Sequence, residues 1–280
     1  LDEENLLLKP MVQNGKEAIG SMGDDTPLAV LSRRPRLLYT YFKQLFAQVT
    51  NPAIDSLRER SVMSQKSFLG GRLSLFDNLV KEHHFVSLES PVLLDAEFKG
   101  LGKVPFLKDR IATLDATFPV AEGPDALRER VQQLREEVNA EVRDKGTRLV
   151  VLSDRKVSRD RAAVPMLLAT GAVHSELVRV GRRIHCDIVC ESGEVRDVHQ
   201  LACVVGFGAN AVYPYLALDM IRKIISGRDL AAEEERIEMD LGQALGNYRK
   251  ALDAGLLKIL SKMGISTLFS YQGAKVFEAI

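Results

Sequence analysis

Leu149-Val150-Val151-Leu152, followed at once by Ser153-Asp154-Arg155, is the stretch that decides the fold. An unbroken apolar run that stops abruptly on polar residues reads as a strand covered on both faces, the pattern of a parallel sheet. Working outward, residues 164–180 have helical spacing. Ile184, Cys186, Ile188 and Cys190 then alternate onto one side, which predicts a strand over 183–190. Glu191-Ser192-Gly193-Glu194 turns the chain, Leu201 to Val205 reads as another buried strand, and residues 214–226 read as a helix. Upstream, Pro124 opens a helix with Leu127, Val131, Leu134, Val138 and Val142 on one face and charges elsewhere; Ile111 to Ala116 precedes it as a strand. Strands alternating with helices predict an α/β protein, a mainly parallel sheet flanked by helices.

The outer segments read less regularly. Residues 1–25 end in turn composition (Gly20 to Asp25) and are expected to form a linker or docking arm. Leu37, Leu38, Tyr41, Phe42, Leu45, Phe46 and Val49 recur at four-residue steps and predict one wide apolar helix face, ended by Asn51-Pro52. A helical turn over 54–60 leads into Ser61-Val62-Met63-Ser64, read as a short strand. Residues 241–254 read as a helix with Gly255 at its C-cap. Tyr271, Ala274, Phe277 and Ile280 recur at helical spacing up to the last residue. With no initiator Met and no helix stop there, the expectation is a piece of a longer polypeptide.

Composition removes several classes of function. The 280 residues are 46% apolar and 27% charged, ordinary for a globular chain. Lys plus Arg and Asp plus Glu number 38 each, so there is no overall basic excess for nucleic acid. Aromatic residues are only 6% and Trp is absent, which argues against a stacking platform. Three cysteines make no disulfide framework, and the acidic start (Asp2, Glu3, Glu4) is the wrong sign for a leader; both point to the cytoplasm. Val198 to Leu218 carries no charge, but His199, Gln200, Gly206, Gly208, Asn210 and Pro214 interrupt it, so no membrane span is expected.

Three constellations stand out. Gly206-Phe207-Gly208-Ala209-Asn210-Ala211 has the form G-x-G-x-x-A. Read as a turn between strand and helix, it has two meanings: a dinucleotide loop using Gly206, Gly208 and Ala211 with Asp229 as ribose acceptor, or a glycine turn that packs a helix on a sheet. His174, His185, Cys186, Cys190, His199 and Cys203 are soft ligands; Cys186 and Cys190 loosely fit the C-x₂₋₄-C spacing of a zinc site, but they alternate onto one face of the expected strand beside Ile184 and Ile188 and read as small core thiols. His83-His84 carries no chemical argument. Ser153-Asp154-Arg155 lies where parallel sheets bind ligands, with Asp154 also suited to a local ion pair or a helix cap. No G-x-S-x-G, Walker lysine or H-E-x-x-H occurs.

Long stretches carry a family resemblance. DDTPLAVLSRRPRLLYTYFKQLFAQVTNPAIDSLRERSVMS (Asp24 to Ser64), LESPVLLDAEF from Leu88, IATLDATFPV from Ile111, LLATGAVHSELVR from Leu167, VVGFGANAVYPYLAL from Val204 and NYRKALDAGLLKILSKMGISTLFSYQGAKVFEAI from Asn247 resemble, in order, the central domain of the glutamate synthase large subunit. His199-Gln200, Ser175-Glu176 and Phe207 depart from the commoner choices at positions that are not catalytic in the family.

The resemblance implies a fold like a reduced or partial (β/α) barrel that binds no cofactor itself, so the glycine loop becomes a packing turn. It implies a central domain over 26–235 and the truncated start of the FMN-binding barrel domain over 236–280. The implied parent holds FMN and a 3Fe–4S cluster. It hydrolyses glutamine in an amidotransferase domain, passes ammonia along an internal tunnel and makes glutamate from 2-oxoglutarate. Electrons come from NADPH through a small subunit or from ferredoxin; the compartment is cytoplasm, or plastid in a photosynthetic eukaryote. Implied substrate-side contacts are Arg58, Met63 and Ser64. Implied FMN-side contacts are Met263, Gly264 and Ser266, in a segment (261–266) that resembles the first strand of the flavin barrel and its loop. No residue of this chain is implied to be catalytic. Core packing is the competing role for Met63 and Met263.

Overall fold

The computed structural model describes residues 3–19, 27–45, 54–55, 57–72, 85–227 and 237–280. A π-helical turn (Glu4–Leu8) runs into α1 (Lys9–Asn14); β1 (Phe42–Gln44), α2 (Glu59–Val62), β2 (Ser67–Leu69) and β3 (Val86–Leu88) follow. The central part is α3 (Asp95–Leu101), β4 (Ile111–Asp115), β5 (Thr117–Pro119), α4 (Pro124–Asp144), β6 (Leu149–Ser153), β7 (Arg161–Ala163), α5 (Met166–Arg179), β8 (Asp187–Glu191), α6 (Val198–Gly206), β9 (Ala211–Tyr213) and α7 (Tyr215–Ser226). The chain ends with α8 (Leu241–Met263), α9 (Leu268–Tyr271) and β10 (Phe277–Ala279).

Four strands form one parallel sheet in the order β4-β6-β8-β9, which is also their order in the chain. Every residue of β6 and β8 is buried, because helices cover both faces. The outer edge of β9 is taken by residues 91–93: Val212 donates to the Pro91 carbonyl (2.7 Å) and accepts from Leu93 N–H (2.8 Å), a parallel bridge at Val92. Since this segment precedes α3 and β4, the segment leading into the parallel sheet pairs with that sheet's last strand, the cyclic order of a small barrel. Among the described residues no ladder joins residues 91–93 to β4. The expected parallel α/β fold with partial-barrel character is therefore present.

Helix α8 closes the core. Asp240 caps it by accepting from Gln243 N–H (3.0 Å), and Ala244, Tyr248, Ala251, Leu252, Leu256 and Leu260 form its buried stripe. The arm docks on it: Leu8, Met11 and Val12 are buried, and Asn247 Nδ2 donates to the Val12 carbonyl (2.7 Å). No described helix is long and apolar enough to cross a membrane.

Several expected elements differ. Residues 37–45 form a 3₁₀ turn (Leu38–Tyr41) and β1 instead of a helix, and Phe46, Val49 and Asn51-Pro52 lie outside the described residues. The aromatic residues there have separate partners: Tyr39 enters the core, Phe42 packs edge-on against Phe207 (5.3 Å between centroids), and β1 pairs antiparallel with β10. Residues 201–205, expected as a strand, lie in α6. Asp197 accepts from Gln200 N–H (2.7 Å) while Gln200 Oε1 accepts from Asp197 N–H (3.3 Å), a reciprocal cap that starts a helix. Strand β8 begins only at Asp187, residues 59–62 are helical, and the end of the chain is β10 rather than a helix.

Gly255 does not end α8, which runs on to Met263. A Cβ on Gly255 would overlap the Val198 side chain of α6, so this glycine sets how closely the two helices cross. Gly255→Ala gains helix propensity but loses more to overlap, an expected net destabilisation of about 1–3 kcal/mol. Adding Val198→Ala should recover most of it. Urea unfolding midpoints of the single and double variants check this, and a stabilised single variant would refute the packing account.

Candidate functional site

Residues 58–64 and 261–268 lie side by side. Ser64 N–H donates to the Ser266 carbonyl (2.7 Å), Leu268 N–H donates to the Ser64 carbonyl (3.0 Å), and Ser64 bridges Thr267 in parallel. Ile54 N–H reaches the Ser261 carbonyl (3.2 Å) and Ser261 Oγ reaches Glu59 Oε2 (3.2 Å). The structure thus joins Ser64 to Ser266. It turns Met63 into the core at 7% exposure and leaves Met263 half-buried against that core. Arg58 is exposed and paired with Asp55 at 2.6 Å. Ser261–Met263 is the last turn of α8 rather than a strand. Gly264, at φ +66°, accepts the left-handed cap, and Ile265 N–H closes it on the Leu260 carbonyl (3.0 Å). Exposed Leu57 (92%), Val62 and Phe269 flank the junction in sequence.

The same region is tied to the first sheet segment through Asp253 of α8. Ser90 Oγ donates to Asp253 Oδ1 (2.6 Å) and itself accepts from Val92 N–H (3.0 Å), while Gln65 Nε2 donates to the Asp253 carbonyl. Burial pushes the Asp253 carboxyl up to about 6.

At the carboxyl ends of the strands, the polar groups are held by the protein itself. Glu191 accepts from Ser153 Oγ (2.6 Å) and Arg155 Nε (2.6 Å). Among the described residues no cation pairs with Asp154, and its side chain does not cap the chain that follows it. It holds the turn after β8, accepting from Gly193 N–H (2.9 Å) and Ser192 Oγ (3.2 Å), and burial raises its carboxyl. Asp115 faces Lys156 and Arg161, each at 3.3 Å, and Asp95 accepts from Tyr213 Oη (2.6 Å) and pairs with Arg222.

The loop 206–211 is reversed relative to a dinucleotide loop: it follows helix α6 and precedes strand β9. The loop therefore does not open a helix, and Asp229 lies outside the described residues. Gly208 sits at φ +120°, and a Cβ there would overlap the His174 ring. His174 Nδ1 accepts from Arg183 Nε (3.0 Å). Arg183 also donates to the carbonyls of Cys186 and Gly208 and to Asn210 Oδ1, each at 2.8 Å. Burial, then the Arg183 charge, lowers His174 to about 4, so the imidazole is neutral at physiological pH. These groups border an open cavity of about 870 Å³ whose apolar walls include Phe207, Phe269 and Phe277.

The thiols are core groups. Burial raises Cys186, Cys190 and Cys203 to about 12, and Cys190 Sγ lies 3.2 Å from Thr170 Oγ1. Among the described residues no three His, Cys, Asp or Glu side chains are grouped to hold a metal. His83-His84 lies outside the described residues.

Fold and site together define a curled parallel α/β domain whose strand-end carboxylates are met by its own donors and cations. The chain matches the family described as glutamate synthase central domain over residues 1–280, and it belongs to that family. It is 45% identical to the glutamate synthase [NADPH] large chain of Azospirillum brasilense, covering 100% of this chain and 18% of that protein. It is 41% identical to ferredoxin-dependent glutamate synthase 2 of Synechocystis sp., covering 100% and 18%, and 38% identical to the glutamate synthase [NADH] of Saccharomyces cerevisiae, covering 100% and 13%. The chain thus spans less than a fifth of the length of these relatives. A solved flavocytochrome b2 double mutant with pyruvate bound overlaps 51% of this chain and 32% of its own at TM-score 0.36 and 14% identity.

Two outcomes follow. The folded Asp253 carboxyl titrates at about 6 against an ordinary 3.8, so the native state holds a proton that the unfolded chain has released. Stability therefore falls as pH rises from about 4 to 6 and stays reduced above that range. Asp253→Asn should stabilise the protein at pH 7, on the order of 2 kcal/mol, with the gain vanishing near pH 4; melting curves across that range decide it. Gly208→Ala should cost about 3 kcal/mol or more through strain and displacement of His174, read as a lower melting temperature. Unchanged melting would mean that the loop yields.

Proposed function

We propose that this chain is the connecting domain that keeps a glutaminase site and a flavin synthase site of one large polypeptide in register, lining part of the ammonia path and performing no chemistry alone. The observation that carries this reading is the bridge between Ser64 and Ser266–Thr267, which fuses two segments distant in sequence into one exposed surface. At that surface Arg58 and Ser64 belong to the substrate side, with Met63 turned inward behind them, and Met263, Gly264 and Ser266 to the FMN side, with 236–280 leading into the flavin domain.

The residues present fit an edge contact to a flavin: two hydroxyls and a cap glycine, beside Arg58, which is paired with Asp55. When bound, the flavin supplies the electrons that reduce the iminated 2-oxoglutarate. This chain's part is to hold its own backbone in place and to keep water out. Ammonia is mostly protonated at neutral pH, so a wet path would drain it. The amidotransferase and FMN domains are the partners in the same polypeptide. The 3Fe–4S cluster and the NADPH-linked subunit or ferredoxin act beyond this domain. Relatives named for NADPH, NADH and ferredoxin match over the full length at 45%, 38% and 41%, which supports a role common to all electron donors.

In the full-length enzyme, Ser64→Pro removes the N–H that reaches the Ser266 carbonyl, whereas Ser64→Ala keeps it. The proline variant should retain glutaminase activity yet lose glutamine-dependent glutamate synthesis about tenfold or more. Glutamine consumed per 2-oxoglutarate should rise above one, while the alanine variant stays coupled. Unchanged stoichiometry in Ser64→Pro would overturn the coupling role.

A further inference from the structure

The opposite, amino-terminal edge of the parallel sheet has a different electrostatic character. A pocket of about 460 Å³ lies there, lined by Arg72, Arg110, Lys145, Arg148 and His185 together with the Gly70-Gly71 turn; among the described residues its lining contains no Asp or Glu, and the nearby carboxylates Glu141 and Asp187 accept, respectively, from Thr147 Oγ1 and from the Gly70 and Gly71 N–H groups. Arg110 and Arg148 immediately precede the register partners Ile111 and Leu149 of β4 and β6, and Arg148 N–H donates to the Arg110 carbonyl (2.9 Å). Two guanidinium stems therefore leave neighbouring strands directly opposite one another, an arrangement that is unfavourable for like charges. Burial and the Arg110 charge both lower the Arg148 guanidinium.

Other cations at the pocket are accounted for. Lys145 pairs with Glu141 (2.5 Å) and caps the carboxyl end of α4, whose dipole favours a positive charge; Arg72 lies over the Phe269 ring at 3.4 Å. Arg110 and Arg148 have no carboxylate at ion-pair distance among the described residues. This contrasts with Arg155, Arg161 and Arg222 at the other end of the sheet, each of which faces a carboxylate.

We propose that this pocket binds a small polyanion, with the opposed Arg110 and Arg148 guanidiniums clamping one oxyanion group and His185, beside the already engaged Arg72 and Lys145, facing a second. Guanidinium forks match carboxylate and phosphate oxygens, and the volume suits a compact molecule with two or more such groups. The proposal is independent of the coupling role.

The test is calorimetric titration of the full-length protein with citrate and, separately, inorganic pyrophosphate, at low salt and at about 0.15 M ionic strength. The expected result is sub-millimolar binding of at least one probe, weakened by salt. Binding should fall about tenfold or more in Arg110→Gln and in Arg148→Gln, but not in Arg143→Gln, whose guanidinium pairs with Asp144 outside the pocket. Citrate alone would mark a polycarboxylate ligand and pyrophosphate alone a phosphate-bearing one. Each glutamine variant removes a like-charge opposition, so its melting temperature without ligand should hold or rise. That separates lost binding from lost folding. Binding of neither probe, as when an acidic segment of the same polypeptide fills the pocket, or equal binding by wild type and both variants, would overturn the proposal.

Discussion

Burial of β6 and β8 on both faces is the constraint on which the rest of the structure depends. Every residue of these strands is buried, so each polar group at their ends needs a partner from the protein. Ser153 and Glu191 meet that need between themselves and with Arg155; Asp154 meets it through the Gly193 N–H and the Ser192 hydroxyl. A carboxylate left bare there would destabilise the domain by several kcal/mol. The dense polar trim at the carboxyl ends is thus a consequence of covering the sheet, and it leaves these side chains engaged within the protein.

Those same elements were the ones legible in the sequence. The unbroken apolar run 149–152 with its abrupt polar end, the stripe from Leu127 to Val142 and residues 214–226 each form the expected strand or helix. Legibility failed for the buried helix α6, whose apolar run has the same look as a buried strand. Residues 198–206 are apolar all round, so no period distinguishes a buried helix from a buried strand there. The signal that does distinguish them is local: Asp197 and Gln200 at capping-box spacing. The segment 37–45 failed for the opposite reason. Its apolar spacing is helical, but Tyr39 and Phe42 are drawn to separate long-range partners, and pairing with β10 outweighs the local preference.

The candidate site was legible only through resemblance. Nothing local in Ser61 to Ser64 or Ser261 to Ser266 announces that the two segments pair, because the bridge joins residues some two hundred positions apart. The glycine loop shows the converse hazard. Its spacing matches a cofactor loop, yet its glycines serve the His174 and Phe277 rings packed against them. The order of elements around a motif carries its meaning, and here helix precedes loop and loop precedes strand. Likewise, Arg110 and Arg148 are unremarkable as letters and become an opposed pair only through the register of β4 with β6.

The two ends of the sheet therefore divide the work of charge. In an α/β repeat the helices run back against the strands, so their carboxyl-terminal carbonyls gather at the strand amino ends and attract cations there. Lys145 at the end of α4 is one such cation. That dipole supports isolated positive charges, but it gives no reason for two guanidiniums to leave adjacent strands face to face. At the other end, where helix amino termini favour anions, Glu191, Asp115 and Asp95 each sit with an arginine of their own. Charge is thus met within the protein at the end where (β/α) folds ordinarily bind ligands, while positive charge remains at the opposite end. The Ser64–Ser266 seam and the arginine pocket are both set by strand pairing rather than by loops at the carboxyl ends of the strands.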